Sequence, residues 1–150
     1  VNSYKRIVAL DVGSKRTGLA QSDPMHVIAS PIGAFGTREL IEKLQKLHED
    51  SGIECIVLGW PVGQNGQLGA STDRVITLSK KLEKILPGIA LRFIDERFTS
   101  VMAKQQLFAS GMKKKKRQEK ARVDATAACI ILQEYLDYGE RATILPTSNP

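Results

Sequence analysis

The sequence predicts an α/β domain: a five-stranded mixed sheet, built from a three-strand antiparallel meander plus two further strands, with helices on both faces. Three observations carry this reading. Residues 7–10 and 55–58 are unbroken apolar runs, which mark strands covered on both sides. After residue 37, strand-like runs alternate with apolar residues at helical spacing. The chain has 150 residues, 42% of them apolar and 25% charged, which suits one domain with one core.

Residues 6–10 read as the first strand. Gly13 and Gly18 frame a tight turn, and residues 17–21 read as the second strand, so the two form a hairpin. Residues 27–33 read as a third strand, which Pro24 and Pro31 confine to an edge or a strand end. Thr37 is the expected N-cap of a helix carrying Leu40, Ile41, Leu44 and Leu47, with Gly52 as its stop. Residues 54–59 form the fourth strand and 60–69 a glycine-rich loop. Val75, Ile76, Leu78, Leu82, Ile85 and Leu86 follow a helical period that Pro87 and Gly88 close. Residues 90–94 form the fifth strand, which runs into Asp95 and Glu96. Ser100 caps a helix to about residue 110, a basic loop follows, and a last helix spans about 123–138. Residues 1–138 are thus read as a single domain. Residues 139–150, with two prolines, are read as a flexible tail.

Composition narrows the function classes. No run approaches the roughly 18 apolar residues of a membrane span, and no signal-like segment opens the sequence. Cys55 and Cys129 both sit among apolar residues, and neither has a zinc-type spacing with His26 or His48. Reduced, buried thiols and a cytoplasmic location are the expectation. The net charge is +6. Between residues 113 and 122 lie seven bases (Lys113, Lys114, Lys115, Lys116, Arg117, Lys120 and Arg122) and one acid, Glu119. The rest of the chain holds 15 bases and 15 acids, so the whole excess falls in this run. Such a concentration suits contact with a polyanion.

The acids have a pattern of their own. Asp11 interrupts the apolar first strand and precedes a turn carrying Lys15 and Arg16. A carboxylate in that position is costly to bury unless it is paired or binds a cation. Asp95 and Glu96 end the fifth strand, pointing to opposite sides because they are adjacent. Asp124 begins the last helix and shares a face with Ala128, Ile131 and Tyr135. Ala125, Ala127 and Ala128 let that helix approach the sheet closely. Taken singly, Asp11 could cap its turn and Asp124 could be an ordinary N-terminal helix acid. As a set, carboxylates without histidine or cysteine suit hard divalent cations, Mg²⁺ or Mn²⁺. Two such ions can cut a phosphodiester, and the basic run would hold the polyanion above them. A glycosidase could also use two carboxylates, but the basic run would be unexplained and aromatic residues are only 5%.

These residues resemble the YqgF/RuvX family. The resemblance rests on Asp-Val-Gly-Ser-Lys-Arg-Thr-Gly-Leu-Ala (11–20), Gly-Trp-Pro-Val-Gly-Gln-Asn-Gly-Gln-Leu-Gly (59–69), Asp-Glu-Arg-Phe-Thr-Ser (95–100) and Lys-Ala-Arg-Val-Asp-Ala-Thr-Ala-Ala (120–128). It implies an RNase H-like fold related to the RuvC resolvases. It also implies a nuclease that matures the 5′ end of pre-16S rRNA in precursor ribosomal particles, or one that resolves branched DNA. By position, Asp11, Glu96 and Asp124 match the catalytic metal ligands, with Asp95 a second candidate beside Glu96. The fourth strand, which ends Leu58-Gly59-Trp60, lacks the acid that resolvases carry there. Lys15, Arg16, Arg97 and the 113–122 bases are the expected nucleic-acid contacts. Trp60 would either stack on a splayed base or pack in the core. Two other classes stay open: a non-catalytic rRNA-binding module, and nucleotide hydrolysis of the actin-like type, whose phosphate loop the 11–17 turn also resembles.

Overall fold

The structure, a computed structural model, describes residues 4–61, 69–95 and 116–146, with 116–124 as helix backbone only. The elements run β1 (Arg6–Val12), β2 (Thr17–Ser22), β3 (Ala29–Phe35), α1 (Thr37–Asp50), β4 (Ile53–Trp60), α2 (Ala70–Ile85), β5 (Ala90–Asp95) and α3 (Lys116–Tyr138). The strands form one sheet in the order β3-β2-β1-β4-β5. The β1–β2 and β2–β3 pairs are antiparallel; β1–β4 and β4–β5 are parallel. The expected helix from Ser100 lies outside the described residues.

β1 is central, and its apolar run is explained by cover on both sides. Val8 and Leu10 pack with Leu40 and Leu44 of α1 and with Val75, Leu78 and Leu82 of α2. Ile7 and Ala9 pack on the other face with Ala128, Ile131 and Leu132 of α3. No helix among the described residues is long and apolar enough to cross a membrane.

β3 is an edge strand, which accommodates Pro31. It starts two residues later than the sequence suggests. The Asp23 carboxylate accepts the backbone N–H groups of Met25, Val27 and Ile28, holding residues 23–28 in a side-chain-closed loop. These N–H bonds also hold the Asp23 carboxyl below its usual pKa. Thr37 proves to be the first residue of α1 and not its cap; Gly36 occupies the cap with no side-chain bond. The stop at Gly52 is as expected. Its φ is 82° and its N–H reaches back to the His48 and Leu47 carbonyls, a left-handed closure that glycine adopts without strain.

The last helix differs most from expectation. It begins at Lys116 rather than near residue 123. Its first turns are Lys-Arg-Gln-Glu-Lys-Ala-Arg, nearly all strong helix formers with no glycine or proline. Lys116, Arg117, Lys120 and Arg122 are therefore helical positions, and Asp124 lies more than two turns into the helix. The reading of Asp124 as an N-terminal helix acid is corrected accordingly. Beyond α3, residues Gly139–Ala142 make a 3₁₀ turn, and the Ile144 N–H bonds to the Phe93 carbonyl at 2.8 Å.

Gly13 shows how tightly the hairpin is closed. Its N–H bonds to the Arg16 carbonyl at 2.9 Å, and a Cβ at this position would stand 2.5 Å from that same oxygen. Gly13→Ala should therefore open the turn and cost about 1–3 kcal/mol, measurable as a lowered midpoint of thermal unfolding.

Candidate functional site

β1, β4 and β5 are parallel, so Val12, Trp60 and Asp95 end at one edge of the sheet. The carboxyl edge of parallel strands is where such sheets bind ligands. Asp11 stands one residue from that edge. Strand alternation puts it on the face of Ile7 and Ala9, the face covered by α3. Asp11 is half-buried, less enclosed than its place in the apolar run suggests. Its partner across β2 is Gly18.

α3 packs on the same face of the sheet as Asp11. Gln133 clamps the helix to the start of β3: its Nε2 donates to the Val27 carbonyl at 2.9 Å, and its Oε1 accepts the Ala29 N–H at 3.0 Å. The start of β3 lies level with the start of β1, because Ala29 pairs with Ser22 and the Ser22 hydroxyl accepts the Ile7 N–H. From Gln133 back to position 124 is nine residues, about 13.5 Å of helix. From Ile7 to Asp11 is four residues, about 13 Å of strand. The helix thus carries the backbone of position 124 toward the level of Asp11. Position 124 lies on the helical face of Ala128 and Ile131, both fully buried against the sheet.

Asp95 is on the other face. It pairs with Trp60, and both alternate with Phe93 into the α1–α2 side. Trp60 itself is 2% exposed and packs edge-on against Phe93, centroids 5.8 Å apart; it is a core residue and not a stacking platform. Glu96, Arg97, Lys113, Lys114 and Lys115 lie outside the described residues. Among the described residues, no three His, Cys, Asp or Glu side chains gather as a metal site. Asp11 is the described member of the expected set.

Lys15 is exposed and Arg16 half-buried in the turn that follows Asp11. Beneath this turn, on the α1–α2 side, is a cleft of about 310 Å³ that also takes in Arg74 and Lys81 of α2. Sequence reading missed both cations because α2 was judged on its apolar period alone.

Other polar groups away from this edge are structural. Arg92 Nε donates to Glu140 Oε1 at 2.9 Å, and the Tyr135 hydroxyl donates to the same oxygen at 3.0 Å. These bonds hold the Glu140 carboxyl below its usual range, and burial raises the Tyr135 hydroxyl. Burial likewise pushes the Cys55 and Cys129 thiols up to about 11. Neither thiol is a nucleophile near neutral pH.

The model of the family described as "RuvX: Holliday junction resolvase" matches residues 5–138. The chain belongs to the RuvX family. Relatives named "Putative pre-16S rRNA nuclease" align over most of the chain. The protein of Chlorobaculum tepidum is 40% identical over 136 residues, covering 91% of this chain and 96% of its own. That of Bacteroides fragilis is 40% identical over 132 residues, covering 88% and 96%. That of Salinibacter ruber is 37% identical over 137 residues, covering 91% and 96%. Among solved structures, Thermus thermophilus RuvC in complex with a Holliday junction superposes with a TM-score of 0.57 at 11% identity, covering 93% of this chain and 99% of that one. This RuvX chain therefore has the RuvC, RNase H-like fold. Both the family description and the relatives' names are those of enzymes that cut phosphodiester bonds.

Proposed function

We propose that this RuvX-family protein is a metal-dependent nuclease that hydrolyses phosphodiester bonds in precursor 16S rRNA, acting in the cytoplasm on ribosomal precursor particles. What supports the reading is the place of Asp11, one residue from the carboxyl edge of the parallel strands and on the face that α3 covers. A carboxylate at the end of a covered strand needs a cation or a partner, and an oxygen-only donor set suits Mg²⁺ or Mn²⁺. Asp11, Glu96 and Asp124 would hold the metal. When bound, it would lower the pKa of an attacking water and offset charge on the leaving oxygen.

The chain's own residues supply the rest. Asp11 sits on a strand fixed from both faces, so its carboxylate is presented with little freedom to lose. Lys15 and Arg16 stand at the same edge, where they can meet the phosphates on either side of the cut bond. Lys116, Arg117, Lys120 and Arg122 lie on the first turns of α3, and with Lys113 to Lys115 they supply the charge for a longer polyanion contact. Because Arg97 follows Glu96 directly, it is a further phosphate contact in this reading.

A second reading, resolution of a four-way DNA junction, is favoured by the family's description and by the shared RuvC fold. One assay separates the two. Purified protein is incubated with a pre-16S rRNA fragment, plain single-stranded RNA and a four-way DNA junction, each with Mg²⁺, Mn²⁺ or chelator. The expected result is cleavage of the pre-rRNA that leaves 5′-phosphate ends and stops in chelator. Preferential cutting of the junction would replace the RNA reading. Cleavage that persists in chelator, or none on any substrate, would overturn the nuclease.

A further inference from the structure

We propose that α2 carries a second phosphate track, which holds the nucleic-acid strand flanking the cut site on the side of the sheet opposite α3. This rests on the nuclease reading above and extends it from Lys15 onto α2, which that reading does not use. The track starts in the cleft under the hairpin turn, where Lys15, Arg74 and Lys81 line one space of about 310 Å³ with a single carboxylate, Asp73. It continues into a groove of about 480 Å³ lined by Thr77, Lys80, Lys81 and Lys84. The two share Thr77 and Lys81, so they form one path from the carboxyl edge along the helix.

The spacing makes this a surface and not a scatter of lysines. Arg74, Thr77, Lys81 and Lys84 follow three-and-four steps and stand on one face of α2. The buried face is formed by Val75, Leu78 and Leu82. Ten residues of helix span about 15 Å, the length over which one nucleic-acid strand carries about four charges at 3.4 Å each.

Pairing separates these cations from several others on the surface. Lys46 is paired with Asp50, Arg38 with Glu42 and Arg92 with Glu140. Lys80, Lys81 and Lys84 are exposed and make no ion pair among the described residues. Arg74 Nη2 is held by the Ser71 hydroxyl at 3.1 Å, while its Nε is buried with no hydrogen-bond partner among the described residues. Arg74 as a whole is half-buried and lines the cleft, and a guanidinium in such a cationic wall suits a phosphate oxygen. The neutral balance of the chain outside residues 113–122 thus conceals a local segregation. Two cations of α1 are held by acids of their own helix, Arg38 by Glu42 and Lys46 by Asp50, whereas the lysines of α2 remain available to an outside anion.

The test is the double variant Lys81→Gln/Lys84→Gln against the control Arg38→Gln/Lys46→Gln, which removes the same charge from α1. Binding of fluorescent single-stranded RNA, and of single-stranded DNA of the same sequence, is measured by anisotropy in chelator across a salt series. The α2 variant should bind roughly tenfold more weakly at low salt. The slope of log affinity against log salt should fall by about 1.4, the value for two lost contacts to a single strand. The control should match the wild type. A loss on RNA only, or on DNA only, supports the track and names its strand. Equal affinity of α2 variant and wild type for both strands, or an equal loss in the control, overturns it. Because binding is read without metal, failure of the track is distinct from failure of the nuclease. Unchanged circular dichroism shows that the variants are folded.

Discussion

Asp11→Asn is expected to abolish metal-dependent cleavage while leaving the fold intact. The substitution keeps the shape of the side chain and removes the charge. A metal ion contributes several kcal/mol of charge stabilisation to phosphodiester cleavage, and each 1.4 kcal/mol is a factor of ten in rate. A loss of about 10³-fold or more therefore follows, read as the single-turnover rate in Mg²⁺. Stability should change little. Asp11 is half-buried, opposite a glycine, and next to a run that is already covered on both faces. Nucleic-acid affinity in chelator should also persist, since the basic residues are untouched. Wild-type cleavage by Asp11→Asn would refute the site.

Ala128→Leu is expected to impair cleavage from within the core. Ala128 is fully buried between α3 and the sheet, among Ile7, Ala9, Ala20 and Val57. Three added carbons have no space there, and overpacking of this kind costs about 1–3 kcal/mol. The helix must rise from the sheet or tilt, and position 124 is one turn away. A displacement of about 1 Å in a catalytic group can cost on the order of 10²-fold. Thermal unfolding should fall by several degrees, and the cleavage rate of the still-folded protein should drop about a hundredfold. A destabilised protein with full activity would show that the approach of α3 to β1 does not position the site.

The parts of the fold that were legible in the sequence are those where one residue type has one physical meaning. The unbroken apolar runs of β1 and β4 required cover on both faces, and α1, α2 and α3 supply it. Pro31 required an edge, and β3 is one. Gly52 required a left-handed residue, and its φ is 82°. Asp11 stood out in the sequence because a carboxylate at the end of such a run needs a partner or a cation, and the structure puts it half-buried, one residue from the carboxyl edge.

Residues open to two physical readings misled. The 116–122 run was read as charge, whereas lysine, arginine, glutamate and alanine are also helix formers, so the start of α3 was set about two turns late. The side chain of Asp23 takes three backbone N–H groups and delays β3, an effect that the apolar pattern of residues 27–33 does not show. The Gln133 clamp, which sets the level of α3, joins residues 104 and 106 positions apart. Nothing local in the sequence signals it. The cations of α2 share a face only once the helix is formed, and the apolar period that marks α2 in the sequence does not single them out.

The most direct measurement of the metal site is Mn²⁺ binding to wild-type protein and to Asp11→Asn, Glu96→Gln and Asp124→Asn. Paramagnetic water relaxation reads it without any nucleic acid. The expected result is saturable binding by the wild type and a loss of at least tenfold in affinity in each variant. Wild-type affinity in all three would contradict a metal site built by these carboxylates.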